Sequence, residues 1–174
     1  MASDSERRAL LEQLIQYVPP GAGWKKILKA ALKGQDAQIG IHIAVCVQPF
    51  LSAILEGRKT VESRFSNNRC PPYQRVQRGD IIILKSSGGP ALGTATAGSV
   101  HFYELSTTVL AKIRRNFAEE LYALNDEFWD ERANKQFATL IELHDVTPIT
   151  PMPITKRDRR GWITYKNLSS PRES

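Results

Sequence analysis

The chain has 174 residues and a mass of 19.5 kDa, with 41% hydrophobic and 24% charged side chains, the composition of one folded domain rather than a disordered segment. Its longest unbroken apolar run, Ile43 to Val47, is five residues, against the roughly 20 of a transmembrane helix, so no membrane span is expected. Net charge is +6, from 24 basic and 18 acidic groups. Residues 1–100 carry 13 basic and 7 acidic groups, 101–150 carry 5 and 9, and 151–174 carry 6 and 2. Two basic blocks therefore flank an acidic one. That balance suits a polyanionic partner, since basic side chains gain by displacing counterions condensed on phosphates; the same charge also serves plain solubility. Met1 to Arg8 are polar, with no apolar stretch behind them, unlike the start of a secretory signal. A cytoplasmic, reducing setting is expected, with Cys46 and Cys70 as free thiols.

Leu10, Leu11, Leu14, Ile15 and Val18 recur at helical spacing behind Ser3 and Ser5, and Pro19-Pro20-Gly21 ends the pattern, so an amphipathic helix opens the chain. A second helix sets Trp24, Ile27, Leu28, Ala31 and Leu32 opposite Lys25, Lys26, Lys29 and Lys33, with Gly34 as its cap; its lysines read first as a solvated face. The period then becomes two, with Ile39, Ile41, Ile43, Val45 and Val47 alternating with small or polar residues, which predicts a strand. Pro49 opens a short helix carrying Phe50, Leu51, Ile54 and Leu55, Gly57 ends it, and Thr60 to Phe65 is extended. After a loop from Ser66 to Arg78, Gly79-Asp80 leads into the strand Ile81 to Leu84. Ser86 to Pro90 then turns the chain into a long strand, Leu92 to Tyr103, bent at Gly93 and Gly98.

Ser106 caps a helix whose buried stripe is Val109, Leu110, Ile113, Phe117, Leu121 and Leu124, and Asn125-Asp126 separates it from a short helix around Phe128 and Trp129. Phe137 to Val146 reads as the last strand, because Pro148, Pro151 and Pro153 should interrupt a ladder. Trp162 is expected to pack a basic tail, Lys156 to Arg160, back onto the body. About five strands, with helices between and ahead of them but no βαβ alternation, indicate an α+β domain: a small, mostly antiparallel β-barrel with flanking helices. The expected layout is a helical extension over residues 1–36, a barrel domain over 37–168 and a loose tail over 169–174, in a monomer.

Familiar catalytic signatures are absent: there is no GxSxG, no HExxH, and no GxxxxGK[ST] frame around Ser86-Ser87-Gly88-Gly89. His42, His101 and His144 are isolated in sequence, so no metal or other cofactor is expected. What stands out is Gly57-Arg58-Lys59-Thr60-Val61-Glu62-Ser63-Arg64, a helix stop running into a strand dense with charge. In a strand Thr60, Glu62 and Arg64 share one face. Two surroundings suit it equally: an exposed edge guarded by its charges, or a cleft that gathers Lys59, Glu62 and Arg64 away from water. In a cleft, desolvation lowers the pKa of Lys59 and a carboxylate at Glu62 raises it again, so Lys59 is expected to stay charged, which favours recognition over nucleophilic attack. Lys59 and Arg64 would then hold a phosphate or a base carbonyl while Glu62 accepts from an amino group. Around them Arg69 and Tyr73 offer a cation and a stacking face, Lys85 and Ser86 lead into exposed backbone N–H groups, and His101 is placed to close the cleft. Each of these also has a plain reading as loop, turn or strand residue.

Gln48-Pro49-Phe50, Ile54-Leu55, the segment from Gly57 to Arg64 and the later Gly79-Asp80 together resemble the ASCH domain family, over about Ile41 to Val146. The resemblance implies a PUA-like fold, a small β-barrel with a helix-gated cleft, and RNA or nucleotide binding in which Arg58, Lys59, Thr60, Glu62 and Arg64 take part. Hydrolysis in the same cleft is the alternative, because some ASCH proteins are enzymes. In an N4-acetylcytidine amidohydrolase of the family, a catalytic lysine falls on Lys59 and a threonine falls on Glu62. A metal-dependent ribonuclease is a second enzymatic precedent. As a hydrolase, Glu62 would activate water while Lys59 stabilised the oxyanion. A protein-interaction module of the cointegrator type is the third expectation.

Overall fold

α1 (Asp4–Tyr17) begins at a capping box, in which the Ser3 hydroxyl accepts from the Glu6 amide and the Glu6 carboxylate accepts from that of Ser3, satisfying two bare N–H groups at once. Leu10, Leu11 and Leu14 of this helix join Trp24 and Leu28 of α2 (Trp24–Leu32) on a sheet face made by Ile41, Ile43, Ile81 and Ile83. Those residues belong to β1 (Ile41–Cys46) and β3 (Ile81–Ser86). The opposite face of the same strands, Ala44, Cys46, Ile82 and Leu84, packs with Leu51 and Ile54 of α3 (Phe50–Leu55) into a second core. The period of two in β1 thus marks a strand covered on both sides. The computed structural model describes residues 3–21, 23–34, 38–155 and 159–165.

β2 (Val61–Ser66), β4 (Ala91–Glu104), β5 (Phe137–Met152) and β6 (Trp162–Tyr165) complete a six-stranded sheet of order β2-β5-β4-β3-β1-β6. β1 and β3 run parallel and the other neighbours antiparallel. The sheet curls into a half-barrel with flanking helices, the α+β architecture expected, and β2 and β6 are its two edges. Between those edges lies a seam that no described ladder closes. The curl depends on β4, whose register against β5 shifts at Ala91/Gly93, Thr94/Thr96 and Ala97/Val100. A Cβ on Gly93 would sit 2.6 Å from Leu55 Cδ2, and one on Gly98 2.6 Å from His144 Nε2, so a side chain at either bend would displace a neighbouring one.

Three sequence expectations need correction. The prolines do not end β5, which runs on to Met152 with Pro148 opposite Gly93; a missing N–H is tolerated where the ladder is already interrupted. The chain around Trp162 is a sixth strand paired with β1, not only a tail held by one ring. α4 (Thr107–Phe117) ends well before Leu124, which is 70% exposed. Tyr122 takes a φ of +56°, and the turn buries Leu121 and Ala123 instead before α5 (Asp126–Asp130), capped by Asn125. Lys156 and Arg157, together with the boundaries placed after residues 36 and 168, lie outside the described residues. No described helix is long and apolar enough to cross a membrane.

Candidate functional site in the seam of the barrel

The stop of α3 aims the site. Gly57 takes φ +76°, and the amides of Arg58 and Lys59 both donate to the Ala53 carbonyl at 2.8 and 3.0 Å, a reversal that turns Lys59 inward. Its Nζ donates to the carbonyls of Val61 at 2.7 Å and Leu121 at 3.0 Å, and the residue is 3% exposed. β2 then places Glu62 and Arg64 on one face, as period two requires. Glu62 is buried, with Oε1 3.4 Å from Arg64 Nε, an ion pair without hydrogen-bond alignment. Arg64 donates from Nη2 to Val45 O at 2.9 Å and from Nη1 to Gly161 O at 3.2 Å. The ring of Trp162 lies 5.3 Å below its guanidinium.

A cavity of about 420 Å³ opens here, between the end of β1 (Val45, Cys46, Val47) and β2 (Glu62 to Phe65). Lys59, Phe50 and a third wall of Phe128, Glu131, Arg132 and Lys135, from α5 and the turn after it, complete the lining. Arg132 stacks 3.6 Å above the Phe128 ring and donates to the Phe128 carbonyl at 2.7 Å. Four cations thus face two carboxylates. The Nε atoms of Arg64 and Arg132 are buried without a hydrogen-bond partner, a condition native proteins seldom leave uncompensated.

Burial pushes the Lys59 amine below its ordinary value; Glu62 opposes the shift, while Arg64 and Arg132 add to it. The expected contest between desolvation and carboxylate is therefore won by desolvation. Burial likewise lowers Arg132. The Cys46 thiol is pushed up to about 12, first by burial and then by Glu62, which leaves it a packing group rather than a nucleophile. At pH 8 a disulfide-exchange reagent should label one thiol in the folded protein, the exposed Cys70, and two after denaturation. Fast native labelling of both would contradict this assignment.

The sequence singled out ten residues, and the structure brings three of them, Lys59, Glu62 and Arg64, to the cavity wall. Arg58 is exposed, paired with Glu56 and placed over the Tyr122 ring. Thr60 is exposed at the strand entry, where its amide donates to Glu120 O. Arg69 pairs with Glu104 on the surface. Tyr73 is buried between Phe102 and Phe137, so its ring is committed to the core rather than open for a base to stack on. Lys85 is buried and donates to the Ser86 carbonyl, while His101 stacks beside Tyr103 and Phe117. Phe128, Arg132 and Lys135 were not anticipated; the one local signal is an aromatic and a cation four residues apart inside the acidic block.

His42 takes no part in the cavity. It is fully buried, with Nε2 2.9 Å from Asp80 Oδ2 and Nδ1 3.0 Å from Thr164 Oγ1. Among the described residues no three His, Cys, Asp or Glu side chains assemble as a metal site would need.

Among solved structures, the ASCH protein of Zymomonas mobilis superposes with a TM-score of 0.52 at 20% identity, over 64% of this chain and 72% of that one. A point mutant of it superposes equally well over 74% of its chain. Both are similar in fold. No curated protein sequence matches the chain. The sequence profile of the ASCH domain family, however, matches residues 45–153, a span that holds both edges of the cavity, the Gly57–Arg64 segment and the α5 wall. The chain belongs to the ASCH domain family.

Proposed function

We propose that the seam cavity binds single-stranded RNA, or a nucleotide-sized fragment of it, with a phosphate among the cations and a base against Phe50, Phe65 and Phe128. The observation that carries this reading is the convergence of Lys59, Glu62, Arg64 and Arg132 in one cavity of about 420 Å³, within the size range of small-ligand sites. Glu62 contributes selectivity, since its carboxylate only accepts hydrogen bonds and so favours an amino group over a carbonyl.

A second reading, hydrolysis in the same cavity, draws support from Glu62 and Lys59 both being buried on its wall, a base and a cation that would suit a developing oxyanion. Fluorescence anisotropy with a labelled single-stranded oligoribonucleotide tests the first. Affinity should fall with salt, with a log–log slope of roughly −2 if three phosphates are contacted; salt-independent or absent binding sinks the reading. Glu62→Gln separates the two: a binder keeps measurable affinity with altered base preference, whereas turnover of N4-acetylcytidine or of RNA should disappear. Turnover that survives in Glu62→Gln removes Glu62 from any mechanism.

A further inference from the structure

β6 begins beyond residue 153, where the family match ends, yet it reaches the cavity through one side chain. Arg64 stands on the β2 edge of the half-barrel and spans the seam to the opposite edge, where its two Nη atoms donate to Val45 O of β1 and Gly161 O at the entrance to β6. Gly161 O also receives the Val45 amide at 2.9 Å. The seam, which no ladder among the described residues closes, is thus bridged by a guanidinium clasp.

Two residues set the clasp. A Cβ on Gly161 would lie 3.2 Å from Arg64 Nη1, so the small residue permits the close approach. Trp162 supplies the aromatic face beneath the cation and is itself pinned, 2% exposed, with its indole Nε1 donating to His42 Nδ1 at 3.2 Å. An indole N–H can only donate, so His42 Nδ1 is an acceptor and its Nε2 carries the hydrogen offered to Asp80. The ring that supports Arg64 is therefore held by a buried chain through β6, β1 and β3. Two of the five guanidinium N–H donors go to the carbonyls and a third to Cys46 Sγ at 3.8 Å, and those bonds fix the direction in which the other two point.

We propose that Gly161 and Trp162 are positioning residues: by fixing Arg64 across the seam they set how tightly the cavity holds a phosphate-bearing ligand. The proposal rests on the reading of the cavity given above. Its two halves separate in one set of measurements on the full chain and on Gly161→Ala, Trp162→Leu and Trp162→Phe. Arginine Nε–H signals are followed by ¹⁵N NMR, with that of Arg64 assigned by its loss in Arg64→Lys, and adenosine 5′-monophosphate and inorganic phosphate serve as titrants.

The Arg64 signal should be sharp and exchange slowly in the wild type, and should broaden in Gly161→Ala and Trp162→Leu. Affinity should fall about fivefold or more in both, the scale of a misaligned charge-assisted hydrogen bond. The melting temperature of Gly161→Ala should stay within a few degrees of wild type, as for other exposed substitutions. Trp162→Phe, which keeps an aromatic face, should recover part of what Trp162→Leu loses. Wild-type affinity and an unchanged Arg64 signal in both altered proteins would overturn the proposal and leave the cavity reading standing. Equal losses in Trp162→Phe and Trp162→Leu would overturn the role given to the ring. If the wild type binds neither titrant nor RNA, the cavity reading fails and takes the affinity claim with it, while the Arg64 signal still decides whether the clasp exists.

Discussion

Lys59→Met should lower affinity for single-stranded RNA at least tenfold and should also change how the stability of the protein depends on pH. Methionine fills nearly the same volume, so the cavity keeps its shape and loses a cation. Two effects on stability oppose each other. The carbonyls of Val61 and Leu121 lose their donor, at a cost of ~1–3 kcal/mol for each buried acceptor left bare, while a charge held away from water disappears. The sign of the pH effect follows from proton counting. Burial holds the folded pKa of Lys59 below 10.5, so between the two values the unfolded chain binds a proton that the folded chain does not. Stability then rises with pH by up to about 1.4 kcal/mol per unit. Below the folded pKa both states are protonated and Lys59 adds no slope. In urea unfolding from pH 7 to 10.5, the wild type should therefore gain on Lys59→Met as pH increases, with other alkaline groups cancelling in the difference. A difference that stays flat over this range would mean that Lys59 is not desolvated and would remove it from the cavity's interior.

Local pattern carried most of this fold because the physics there is local. A change of period from 3.6 to 2 marked β1, glycines marked the bends of β4, and a capping serine marked the start of α4. It failed where a tertiary arrangement overrode a local rule. Proline was tolerated in β5 because the opposite strand already shifts register, and Leu124 left the helical stripe because Tyr122 reverses the chain. The site divides in the same way. The shared face of Glu62 and Arg64 was legible because strand period fixes it, whereas whether that face met solvent or a cavity, and the inward turn of Lys59 at Gly57, depended on the tertiary fold. Tyr73 was misread, since composition does not say whether an aromatic ring in a loop faces solvent or core. Arg132 and Lys135 reach the cavity, and Trp162 reaches Arg64 on its wall, from roughly 70 to 100 residues along the chain, and nothing local encodes which distant segments the curled sheet brings to its seam.

Asp80→Ala should be among the most destabilising single changes in this protein, about 3 kcal/mol or more by urea unfolding, because each buried donor left without its acceptor costs ~1–3 kcal/mol. Its Oδ1 accepts from the Gly40 amide at 2.7 Å, and its Oδ2 from the Gln77 amide at 2.8 Å and from His42 Nε2. Gly79, at φ +90°, turns the chain so that this carboxylate enters the core, which gives the Gly79-Asp80 pair a physical purpose. Alanine would strand two buried donors, the Gly40 amide and His42 Nε2, and a half-buried one, the Gln77 amide. Asparagine should cost less than alanine but more than a surface change, because its oxygen can serve part of the set while its NH₂ must face another donor. A loss below about 1 kcal/mol in Asp80→Ala would show that the network is not a keystone. The consequence extends to function, since His42 released from Asp80 no longer has its ring fixed for Trp162, and Trp162 supports Arg64 across the seam. Asp80→Asn, folded and assayed well below its melting temperature, should therefore bind RNA more weakly than wild type although Asp80 lines no part of the cavity.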